Sequence, residues 1–155
     1  MADINRQKQN MTVNNVFQEE WIPLPFIVGE CSLSGIEYDA TNLVVELDSF
    51  QEGRTIKIVF ADVFSYRVTL EQFRWAEFSH APKVLATLVK VINSRYIEWM
   101  ENAGVKQLYD SDLDINHYML RTTDMLRTTE HIVDVALLSD SKITIDGKTC
   151  AQGKK

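Results

Sequence analysis

The sequence predicts an α+β domain: a strongly curved, half-barrel-like and mainly antiparallel sheet of about six strands, with one or two short helices. Three observations carry this. Apolar residues alternate through "NLVVELDSF" and "RTIKIVFADVFSYRVTLE". A late pair of β-rich stretches surrounds "HYMLRTTDMLRTTEHIVDVALL". Only one short stretch, "SRYIEWMENAG", combines a cap, a helical run and a terminal glycine.

The chain of 155 residues suits a single domain, long enough to bury about 70 per cent of its unfolded surface. Residues 1–15 are polar and unpatterned, the expected arm; the domain is expected over 16–146 and a loose tail over 147–155. In "FQEEWIPLPF", Pro23 and Pro25 each remove a backbone donor and disfavour a helix. From Phe26 to Tyr38 the pattern is that of a strand punctuated by Gly29 and Gly35, which suggests a bulge or bend. Leu43, Val45 and Leu47 then share one face of a half-buried strand, with Glu46 and Asp48 on the other.

After the turn "QEG", ending at Gly53, a hairpin partner begins. Ile56, Ile58, Phe60, Phe64, Tyr66, Val68 and Leu70 share one face; Lys57, Ser65, Arg67 and Thr69 share the other. A straight strand of that length exceeds ordinary dimensions, so it must coil or break. Asp62, the polar residue on the apolar face, marks the break.

Two readings fit the middle of the chain. Leu85, Leu88, Ile92, Tyr96 and Trp99 fall three or four apart, as in one helix running from Pro82 to Gly104. Against this, "ATLVKVI" is dense in β-branched residues and "NS" reads as a turn. The preferred reading is a strand, a cap at Ser94 and a short helix ending at Gly104. A loop with Asp110, Asp112 and Asp114 follows, then strands from Ile115 to about Thr122 and from about His131 to Leu138. A short edge strand is expected at Ile143 to Ile145.

Between the two late strands "MLRTT" followed by an acid is written twice. Side chains alternate with period two, so six extra residues preserve which of them face inward. The copied unit therefore reads as hairpin length or a wide loop.

Chemistry is sparse. His80, His117 and His131 are scattered, and no "GxSxG" turn accompanies them. "DSDLDI" begins as a calcium loop, but Ile115 stands where glycine is needed and Arg121 where a bidentate Glu is needed. No zinc spacing, phosphate loop or dinucleotide fingerprint is present, so no cofactor or metal is expected. Cys31 and Cys150 suggest no disulfide framework, which fits a cytoplasmic protein. The N-terminus has no apolar stretch of a secretory signal. With 22 acids against 16 bases the formal charge is −6, which argues against direct nucleic-acid binding and favours a basic partner.

The order of features, with "VFSYRVTLE", "VINSRYIEWM", "HYML" and "HIVDVAL", resembles immunity proteins of contact-dependent growth inhibition systems across roughly residues 26–140. The copied "LRTT" departs from similar sequences, where the "HYML" strand turns more promptly into "VDV". The resemblance implies a cytoplasmic stoichiometric inhibitor that binds a cognate toxin domain, basic and often a nuclease, and blocks its active site. On that reading the partner-contacting acids are Asp110, Asp112 and Asp114, with Glu19 and Glu20 a second group. Rival readings are a β-barrel-like binder of an apolar molecule, with a pocket lined by Phe60, Phe64 and Tyr66, and a hydrolase or isomerase using His117 with Asp134 or Asp114.

Overall fold

A computed structural model of the chain describes residues 17–20, 30–74, 87–104, 114–124, 126, 130–150 and 152, with side chains described from residue 30 onward. Among the described residues ten strands form two antiparallel sheets of five strands each. The first sheet has the order β1 (Phe17–Glu20), β6 (Leu88–Ile92), β7 (Ile115–Thr123), β8 (Glu130–Leu138), β5 (Val63–Leu70). The second runs β10 (Lys148–Cys150), β9 (Ile143–Ile145), β4 (Arg54–Phe60), β3 (Leu43–Ser49), β2 (Cys31–Tyr38). Among the described residues the single α-helix is α1 (Arg95–Asn102), and a 3-10 turn covers Glu71–Arg74.

The mainly antiparallel α+β class is as expected, but the count of about six strands in one curved sheet is corrected to two sheets of five. Asp62 explains the difference. It adopts a left-handed φ of 52°, between β4 in one sheet and β5 in the other. The expected break thus carries the chain from layer to layer.

Face-to-face packing follows from the alternation. Leu43, Val45 and Leu47 of β3 and Ile56, Ile58 and Phe60 of β4 are buried against Tyr118, Leu120, Val133, Val135 and Leu137 of β7 and β8. Burial of this apolar surface is the main drive for folding, at about 25 cal/mol per Å². The outer side of the second sheet keeps Glu46, Lys57 and Thr144 at the intervening positions, so its strands alternate. By contrast, β7 and β8 are buried on both faces. Their outer face meets α1 through Tyr96, Met100, Ile115 and Ala136.

The strand, cap and helix reading holds: β6 ends at Ile92, Asn93 turns with φ 53°, and Ser94 caps α1 by accepting from the Ile97 N–H at 3.2 Å. Gly104, past the helix end, has φ 99°. Gly53 closes the β3–β4 hairpin with φ 63°, its N–H donating to the Ser49 carbonyl at 2.9 Å. In β2 the register shifts between Leu33 and Gly35, the bulge that Gly35 suggested.

Three expectations change. Lys148–Cys150, placed by sequence in a loose tail, pair with β9, so Ile143–Ile145 is interior to its sheet. Gln152 beyond it is buried: its side-chain N–H groups donate to the Leu138 and Ser141 carbonyls, at 2.9 and 2.5 Å. Finally, a bulge between Val63 and Ser65 turns Phe64 to the outer cluster, while Phe60 and Tyr66 pack in the interlayer core. Phe64 therefore packs in a different cluster from Phe60 and Tyr66, not beside them as the apolar-ligand reading expected. Cys31 and Cys150 are buried in the interlayer core.

Candidate functional site

Polar residues in a doubly buried sheet must find partners, because a buried charge without one costs several kcal/mol. Asp134 on β8 is fully buried and lies on the outer face. Its cross-strand neighbours bring it what it needs. Arg67 stands directly opposite on β5 and donates through Nε at 2.9 Å. His117 stands on the far side of β8, on β7 opposite Ala136, and its Nε2 lies 2.6 Å from Asp134 Oδ1. Arg74, at the end of the 3-10 turn, donates to Asp134 Oδ2 through Nη1 and to Thr69 Oγ1 at 3.2 Å.

The register also positions the serine. Val91 pairs with His117, and the chain turns at Asn93 directly afterwards. Ser94 Oγ therefore reaches His117 Nδ1 at 2.6 Å while it caps α1. The imidazole thus bridges its two neighbours, with Nδ1 toward the Ser94 hydroxyl and Nε2 toward the Asp134 carboxylate.

Tyr96, in the first turn of α1, closes the group from above. Its ring meets the His117 ring edge-on with centroids 5.3 Å apart, and the Arg67 guanidinium carbon lies 4.3 Å from its centroid. Its hydroxyl is 2.5 Å from Ser65 Oγ. On the Asp134 carboxyl, burial alone acts upward; the hydrogen bond from His117 and the charges of His117 and Arg74 more than offset it and hold it at about 2. Burial raises the Tyr96 hydroxyl above its ordinary value.

Ser94, His117 and Asp134 form a hydroxyl, imidazole and carboxylate row of the kind that activates a nucleophile. Convergence of His117 with Asp134, one of the pairs named by the hydrolase or isomerase reading, is present. Access is not: the three residues are 8, 1 and 0 per cent exposed. The serine oxygen is moreover engaged by the Ile97 N–H. As it stands, the row is a closed internal network that ties β5, β7, β8, the 3-10 turn and the start of α1 together.

The acids predicted to contact a partner are only partly placed. Asp110 and Asp112 lie outside the described residues. Asp114 is half-buried beside β7, its carbonyl accepting the Ser139 N–H at 2.9 Å. Glu19 and Glu20 belong to β1, an edge strand, opposite Lys90 and Val89. His117 and Asp134 were visible in the sequence as polar interruptions of apolar strands. Arg67, Arg74 and Ser94 carried no such mark, because only register and helix docking bring them in. Among the described residues no group of His, Cys, Asp and Glu could hold a metal ion, and no helix is long and apolar enough to cross a membrane.

Comparison of the chain with family models, with curated proteins and with solved structures finds no match.

Proposed function

We propose that this chain is an immunity protein that binds a cognate bacterial toxin domain in the cytoplasm and neutralises it by blocking its active site. The observation that carries the reading is the sealed network: the residues best suited to catalysis are engaged with one another beneath α1 and the 3-10 turn. Its outer surface is left to act by contact. The formal charge of −6 supports a basic partner, whose approach an anionic surface accelerates. Asp110, Asp112 and Asp114, with Glu19 and Glu20, remain the proposed acidic rim. The features shared with immunity proteins of contact-dependent growth inhibition systems support the same reading.

The second reading, a hydrolase, is favoured by one observation, the Ser94, His117 and Asp134 row. One experiment separates the two. A toxin domain found encoded next to this chain is expressed with and without it, and growth is measured. Rescue is expected from the wild type and equally from Ser94→Ala at matched soluble level, since a stoichiometric inhibitor needs no nucleophile. No rescue by soluble wild type counts against immunity; rescue that needs the Ser94 hydroxyl points to enzymatic inactivation.

A further inference from the structure

Gln152 lies beyond β10, where composition predicts a loose tail, yet it is buried between the start of β7 and the β8–β9 connection. Four groups surround its carboxamide. Asn116 Nδ2 donates to its Oε1 at 2.8 Å, and the Tyr118 hydroxyl approaches the same oxygen at 3.2 Å while donating to the Gln152 main-chain carbonyl at 3.0 Å. On the other side Nε2 donates to the carbonyls of Leu138 and Ser141, at 2.9 and 2.5 Å. Asn116 and Tyr118 are 5 and 0 per cent exposed, so water does not compete for them freely. Strand register sets the group up. Asn116 and Tyr118 alternate along β7 and share a face, and Asn116 pairs with Leu137, the residue before the Leu138 carbonyl.

The arrangement selects one functional group. Backbone carbonyls can only accept, so the atom that faces Leu138 and Ser141 must carry two hydrogens, and this fixes which way round the amide lies. Its oxygen is then left to Asn116 and Tyr118. A carboxylate would set lone pairs against the two carbonyls, an ammonium would leave the Asn116 and Tyr118 donors without an acceptor, and a dialkyl amide has no N–H to give. A primary carboxamide satisfies all four. We propose that Asn116, Tyr118 and the carbonyls of Leu138 and Ser141 form a binding site for a primary carboxamide, filled in cis by Gln152 and open to a small external amide once that side chain is withdrawn. The site stands whether or not the chain neutralises a toxin, because no toxin contact is invoked.

Gln152→Ala deletes a CH2–CONH2 group, nearly the atoms of acetamide, so acetamide is the probe. A ligand this small is expected to bind with a Kd of about 50 mM. Thermal melts of the full chain are followed by circular dichroism. At about 0.5 M acetamide, a tenfold excess, the Tm of Gln152→Ala rises by about 3–5 °C relative to the wild type, whose site is already filled. Acetate and N,N-dimethylacetamide at the same concentration give no such rise. Gln152→Met keeps the volume without the hydrogen bonds, leaves the probe no room, and does not gain either. If Gln152→Ala is unfolded in buffer, the same additives are compared for restoring the folded dichroism, and acetamide alone restores it. The site is overturned if acetamide does nothing for Gln152→Ala, if dimethylacetamide or acetate does as much, or if the wild type or Gln152→Met gains equally.

Discussion

Asp134 is the residue around which the outer face of the first sheet is organised. Fully buried, it keeps its charge because Arg67, Arg74 and His117 all reach its two oxygens. Such a cluster is a poor source of net stability, since desolvating its members costs about as much as their attraction returns. Breaking it is another matter. Asp134→Ala leaves the Arg74 guanidinium, itself 5 per cent exposed, without its carboxylate. We expect a loss of about 3–5 kcal/mol, read from urea denaturation. Replacing Arg74 with Met, His117 with Phe and Asp134 with Leu together removes the buried charges, while Arg67, about a third exposed, can turn to water. That triple variant should regain most of the loss. If the single substitution costs under about 1 kcal/mol, the network is not what fixes this face.

The repeated pentapeptide shows how an element overrides its local sequence. Its first copy, Met119 to Thr123, lies in β7, with Met119 and Leu120 fully buried, whereas Leu126 of the second copy is 82 per cent exposed. Thr123 pairs with Glu130, so residues 124–129 connect the two strands. Leu120→Ala should cost about 2–5 kcal/mol, because it opens a cavity between the sheets, and Leu126→Ala less than about 0.5 kcal/mol. Similar losses at both sites in urea melts would mean that Leu126 packs as its twin does. The same contrast decides what was legible. β3 and β4 have one solvated face, so their alternation located them, and Asp62 located the change of sheet. β7 and β8 are buried on both faces, and with alternation gone His117 and Asp134 could be read only singly. Phe64 was assigned to the wrong face because the bulge between Val63 and Ser65 resets the period and leaves no mark in the residue types. The meeting of Ser94, Arg67 and Arg74 depends on register and on where α1 docks, which no local pattern encodes.

For the whole molecule, Asp134 joins segments far apart in the chain: Arg67 from β5, Arg74 from the 3-10 turn, and His117, which hands the connection on to Ser94 at the start of α1. Protonating it should therefore loosen the layer as a unit. Its folded-state value of about 2 lies below the ordinary aspartate value near 3.9, so the unfolded chain binds the proton first as pH falls. The associated stability is complete above about pH 5, declines through the window between the two values, and is gone below about pH 2. A difference of nearly two pH units corresponds to about 2.5 kcal/mol. Asp39 and Asp146, also held below their ordinary values, contribute in the same direction and would obscure a single curve. Comparison with Asp134→Asn removes them, because both carboxylates persist in the variant. Urea melts from pH 6 to pH 2 should show the wild-type advantage over Asp134→Asn shrinking by about 2.5 kcal/mol. If the two curves run parallel, the buried carboxylate titrates alike folded and unfolded, and Arg67, Arg74 and His117 do not hold its charge.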